Sequence, residues 1–354
     1  MQRLDNQLNA RLPDFARRNT AFMRSVIAGQ SRTSSPFWRI LRLLLVAVVL
    51  LLTPLIGWYV AVLTGTDPLA APTVLDRAFM AMFWVLVLIQ LGVRIATLAT
   101  GSGLISASMR AESWETLKAT PDGAALAVKT HWAAVLYRVA PTLIFLMVWR
   151  LYFAGVLVAN LTSYEGHVFD VFLGGTVPLG SPQFLGADNH LTLPAVALAV
   201  VLMAVTLTAS LLILVTSAAF DAALGIWLGT LARGRVVNTL GQATVIVIRI
   251  LLTGFALWIG AAAIEAGGTP FAPIGGNPIT FSPPVAWIGA LFGLVEGDQG
   301  LSLLHLWNYP PLWANIDHSV FIGVALLILV LVQAALANRL ILWSAHRATQ
   351  ADRV

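Results

Sequence analysis

The chain has no cysteine, which excludes disulfides, thiolate-bound metals and iron–sulfur clusters. It also has little charge. Only 10% of its 354 residues are Asp, Glu, Lys or Arg, against about 25% in a soluble domain. With 58% hydrophobic residues, the composition is that of a polytopic membrane protein. The net charge of +5 then marks loops on one side of a membrane rather than a nucleic-acid surface.

Two further absences concern chemistry. Gly229 and Gly234 have the spacing of a phosphate-binding loop, but Arg235 and Val236 stand where it needs lysine and a hydroxyl. ATP hydrolysis by this chain is not expected, and no nucleophile–base arrangement emerges, so the chain is not expected to be an enzyme. The six histidines lie at segment ends or in loops, with no pair four residues apart on one span. No metal site and no cofactor are expected.

The fold class that remains is all-α: an integral membrane helix bundle. Six apolar segments reach the roughly 20 residues a span needs, near 38–64, 78–104, 132–160, 193–220, 237–264 and 319–343. Lys and Arg are missing from 162–191 and from 266–318, where the charges are Glu165, Asp170 and Asp188, then Glu296, Asp298 and Asp317. The residues Arg3 to Arg39, Arg110, Lys118, Lys129, Arg233, Arg235, Arg347 and Arg353 fall on the opposite side, and Arg77 alone lies on the acidic side. The positive-inside rule puts both termini in the cytoplasm of a cell-membrane protein.

This divides the chain into a basic cytoplasmic segment, 1–36, and a six-span domain, 37–354. For 1–36 two readings stand: an interfacial helix on anionic lipid, interrupted at Pro13, or a solvated tail that sets topology. The fourth segment is ambiguous, because its apolar pattern runs to Ala232 through Asp221. Either the span ends near Phe220, or Asp221 is intramembrane. Gly225 and Gly229, four apart, favour close helix packing. In the loop 266–318, the apolar piece Val285–Val295 is too short to cross and predicts a re-entrant or interfacial element, acting as an external lid or a tryptophan-anchored cap.

Charges inside the spans are costly, at roughly 2.5–3.5 kcal/mol near the bilayer centre. Arg138 and Arg150 are placed to snorkel toward opposite interfaces, and Arg94 is intermediate. Arg249 lies in the middle of its span and must face the bundle or a polar cavity. Two readings stay open for Arg249, Asp221, Arg94 and Arg150: an intramembrane pathway, or structural ion pairing of Arg249 with Asp221 or Glu265.

A polar island, 105–129, separates the second and third spans. It predicts a short helix through Trp114 that stops at Thr120-Pro121, since the residue before proline avoids the α region. Thr120 then caps the next helix, with Pro121 at its first position. Trp114 and Leu117 share a face, with Glu112, Glu115 and Lys118 around them, a form suited to docking a protein. Ile105-Ser106, Trp114-Glu115, Leu117 and Thr120-Pro121 together resemble the signature of ABC-2 type permeases, the membrane subunits of ATP-binding-cassette exporters. The run Leu224–Arg233 is similar to one near the inner end of that family's fourth span.

The resemblance implies an ATP-driven exporter built from two permease subunits, identical or different, in membrane lipid with cytoplasmic ABC ATPase subunits. Trp114 and Leu117 would then be apolar anchors for the ATPase and Glu112 and Glu115 polar contacts, with Thr120 and Pro121 closing the coupling helix. Two alternatives remain: an accessory membrane subunit with no transport cycle, and an ion-coupled transporter acting alone.

Overall fold

Away from water, backbone N–H and C=O groups must be satisfied within the protein, and the helix does this within a single segment. The computed structural model describes residues 74–111, 113–120, 122–162, 193–231, 234–266, 282–297, 299–304 and 318–350, with 13–16, 23, 312, 316 and several positions in 52–63. All regular structure among them is helical: α1 (Val74–Arg110), α2 (Ser113–Ala119), α3 (Gly123–Thr162), α4 (Leu193–Leu231), α5 (Arg235–Ala266), α6 (Pro283–Glu296) and α7 (Ile322–Gln350), with three short 3-10 turns. Five of them, α1, α3, α4, α5 and α7, are long and apolar enough to cross a membrane. This is the architecture of a multi-pass membrane protein. The first expected span, 38–64, lies mostly outside the described residues, although those described between 52 and 63 are helical.

The helices overrun the expected spans. At 37, 40 and 39 residues, α1, α3 and α4 are each roughly 55–60 Å long, well beyond the roughly 30 Å of bilayer hydrocarbon. Helix α4 runs unbroken through Asp221, which is fully buried. Asp221 therefore sits in a single continuous helix, with its side chain inside the bundle.

Helix α4 is the spine, packing along α1 on one flank and α7 on another. Its match to α1 is regular. Gln90 bonds Ser217 and Arg94 bonds Asp221, both pairs 127 residues apart. The same offset brings Gly225 onto the backbone of Leu98 and Gly229 onto Ser102. The two helices thus run parallel, meeting every fourth residue at four successive levels, as small residues on i±4 ridges allow. From the other side, a Cβ on Gly101 would lie 2.8 Å from the carbonyl oxygen of Ala222.

Helix α2 folds back between α1 and α3. The Thr120 hydroxyl donates to the carbonyl of Leu117 at 2.6 Å, so it closes α2 rather than opening α3 as expected. Asp122 takes a left-handed φ of 57°, and α3 starts at Gly123, where a side chain would collide with Leu117 and Thr120. Trp114 is buried in a cluster formed by Ile105, Ala124, Val128, Ile226, Ile341 and Ala345 from α1, α3, α4 and α7. In the basic N-terminal segment, Phe15, Ala16 and Met23 pack on the start of α3, and the Tyr137 hydroxyl donates to the carbonyl of Ala16 at 2.7 Å. The described part of that segment is therefore docked on the bundle.

Replacing Gly225 with Val should disrupt the α1–α4 contact, because the new atoms fall on the backbone of Leu98 rather than on a movable side chain. The expected outcome is loss of monodisperse protein on size exclusion, or a large fall in melting temperature. Gly103→Ala, where a Cβ meets nothing within 4 Å, should leave both unchanged.

Candidate functional site

Helix α6 is the element that creates the site. Pro283 and Pro284 suit its first turn, where N–H groups lack helical partners in any case. Its 14 residues span roughly 21 Å, too little to cross a bilayer. It runs antiparallel to α5, with Gly289 against Ile259 and Ala263 and Gly297 against Ala256 and Leu257. Its C-terminus therefore stops about halfway along the long helices. The chain turns there through the 3-10 segment Gln299–Leu304. It then returns, with Leu312, Ile316 and Ile322 packed in one cluster with Leu202 of α4. The segment turns back inside the bundle, with its end against the middle of α1 and α5.

A helix ending inside the bundle leaves its last carbonyls without helical partners. One side chain bonds the last of them, and another bonds the turn that follows. Arg94 Nη1 donates to the carbonyl of Glu296 at 3.2 Å, a cation at the negative end of the α6 dipole. The Ser210 hydroxyl donates to the carbonyl of Gly300. Arg150 in turn donates to the carbonyl of Ser210 at 2.6 Å. Arg150 is 2% exposed, so it does not snorkel as expected, but braces α3 against α4.

The charges at this depth close into a ring. Arg94 Nε meets Asp221 Oδ2 at 2.7 Å. The other Asp221 oxygen meets Arg249 Nη2 at 2.7 Å. Arg249 Nη1 meets Glu296 Oε2 at 2.6 Å, and the same oxygen meets Arg94 Nη2 at 3.0 Å. Two cations and two anions thus alternate, each between two opposite charges, and the ring has no net charge. It joins α1, α4, α5 and α6. Taking ions out of water costs several kcal/mol each, and close pairing with satisfied hydrogen bonds is what offsets that cost.

Of the residues singled out from the sequence, Arg94, Asp221 and Arg249 meet in this ring, while Arg150 stands apart from it. The acid that completes it, Glu296, had been assigned to an acidic external loop. The available signal was an acid at the end of an apolar helix too short to cross, which the re-entrant of the two readings would carry into the bundle. The side chain of Glu265, the other suggested partner, lies outside the described residues. A polar layer lies further along, where the Ser102 hydroxyl donates to Asn238 Oδ1 at 2.7 Å.

The docking residues form a separate site. Trp114 is 3% exposed, so its expected place on a partner-facing surface is corrected: the indole points into the bundle. Leu117 is half-buried against the same cluster. Glu115, Thr116 and Ala119 are exposed. Glu112 and Pro121 lie outside the described residues. Among the described residues no group of acids and histidines is arranged to hold a metal.

Arg249→Met should lower stability by about 3–5 kcal/mol, since it leaves two carboxylates facing one guanidinium. The double change Arg249→Met, Glu296→Gln restores charge balance and should cost less than the single one. Thermal unfolding of the variants in one detergent checks both. No protein-family model, curated protein or solved structure matches this chain.

Proposed function

We propose that this chain is the permease subunit of an ATP-driven ABC exporter, paired with a second permease subunit and served by separate cytoplasmic ATPase subunits. The observation that carries the proposal is α2. The stretch with the ABC-2 resemblance forms a short helix between two membrane-length helices. Its inner face is locked to the bundle through Trp114, and Glu115, Thr116 and Ala119 face outward. Such an element passes a push from a soluble partner directly to α1, α3, α4 and α7.

In this reading residues 38–64 supply a sixth span, and the positive-inside distribution of Lys and Arg puts α2 and both termini in the cytoplasm. Glu115 contacts the ATPase from the exposed face. Trp114 and Leu117 transmit motion from beneath instead of touching the partner. The closed ion ring supports this role over an ion-coupled one, because each of its carboxylates is held between two guanidiniums.

Purification from native membranes in mild detergent should retain an ATPase. Glu115→Lys should cut its recovery ten-fold or more without lowering the melting temperature of the permease. A stable complex with other membrane proteins and no ATPase would overturn the proposal in favour of an accessory subunit. Trp114→Ala is not a silent surface change, and should cost about 3–5 kcal/mol of stability as a buried aromatic deletion. Trp114→Phe should preserve fold and ATPase recovery alike, since the indole Nε1 has no hydrogen-bond partner among the described residues.

A further inference from the structure

Three buried polar atoms beside the ion ring have no hydrogen-bond partner among the described residues: Arg249 Nε, Thr253 Oγ1 and Gln90 Oε1. All three side chains are more than nine-tenths buried. Their positions on the helices bring them to the same side of the ring. Thr253 is one turn beyond Arg249 on α5, and Gln90 is one turn before Arg94 on α1. These two helices are antiparallel, since Ser102 of α1 reaches back to Asn238 of α5. The two steps therefore go the same way along the bundle.

The orientation of each group is constrained. Ser217 donates to the carbonyl of Leu214 at 3.3 Å, so its oxygen is free to accept from Gln90 Nε2 at 3.1 Å. That bond leaves Gln90 Oε1 as the unused end of the amide. Thr253 differs from other hydroxyls in the spans. Thr97, Thr206, Thr208, Thr230 and Ser344 each donate to a carbonyl three or four residues earlier on their own helix. Thr253 does not, and its hydroxyl is available to another group. Arg249 uses both terminal nitrogens in the ring, and Nε–H is the donor left over.

We propose that these three groups line an internal water site. The chemistry selects water over an ion. A cation would face the Arg249 N–H, an anion would face the Gln90 carbonyl oxygen, and the adjoining ring has no charge to balance either. A water molecule accepts from Arg249 Nε–H, donates to Gln90 Oε1 and exchanges a bond with the Thr253 hydroxyl. That gives it the two to four polar partners that hold buried waters in place. It also removes three exceptions to the rule that buried polar groups are bonded. The site stands whether or not the bundle transports anything.

The test compares Thr253→Val with Thr253→Ser in the full chain, by thermal unfolding in lipid nanodiscs. A water-bonded hydroxyl predicts that Thr253→Val lowers the melting temperature by about 2 °C or more, and that Thr253→Ser loses less. An unchanged or higher melting temperature for Thr253→Val overturns the site, because deleting a dry, unbonded hydroxyl is neutral or stabilising. If the valine variant does not fold, an electron cryomicroscopy map of the unaltered protein decides. A density peak within hydrogen-bond reach of Arg249, Thr253 and Gln90 supports the site. A direct bond between Thr253 and Gln90, or no density there, overturns it.

Discussion

Helix α6 ends inside the bundle, where the protein must supply partners for its carbonyls, and the ion ring stands at that end. Arg94 carries both sides of the solution. One of its nitrogens bonds the last carbonyl of α6, and two others pair with Asp221 and Glu296. A lone arginine here would be an unbalanced charge, so the acids are required. Two acids need a second cation, and Arg249 provides it. The non-helical turn at mid-depth, the four charges and the approach of four helices are therefore one requirement met together.

The packing around the ring follows from the short reach of its bonds. Pairs at 2.6–3.0 Å require backbones to approach closely, and the glycines of α1 and α4 permit it. Gly101, Gly225 and Gly229 lie on the turns next to Arg94 and Asp221, where any side chain would hold the helices apart. The aromatic mass sits elsewhere. Phe79, Trp149 and Phe153 fill the space between α1 and α3, away from the glycine contact, where volume is needed rather than proximity.

Much of this was legible in the sequence. Long apolar runs imply helices because nothing else satisfies their backbones in lipid. Arg249 announced a need for a partner, because no side chain that deep reaches water. The four-residue spacing of Gly225 and Gly229 indicated close contact. What was not legible depended on chain reversal. Glu296 appears external in the linear sequence, and only the dive of α6 carries it inward. Arg150 looked able to reach an interface, but the carbonyl it bonds belongs to Ser210 on another helix. Trp114 looked like an exposed anchor because its neighbours in sequence are charged. The cluster that covers it comes from the far ends of α4 and α7, which no local pattern records.

The ring also has a direction. Helices α1 and α4 are knit together at four successive levels, and α5 and α6 are packed along each other, whereas α5 meets α1 and α4 less closely. One ion pair, Arg94–Asp221, lies within the first couple, and another, Arg249–Glu296, lies within the second. Parting the two couples would break the remaining two contacts, yet each half would leave with one positive and one negative charge. Such a separation leaves each half neutral, at the cost of those two pairs and of the bonds from Arg94 to the Glu296 carbonyl and from Ser102 to Asn238. The boundary between α1–α4 and α5–α6 is therefore a seam with a neutral ion pair on either side, held shut by the two pairs that cross it.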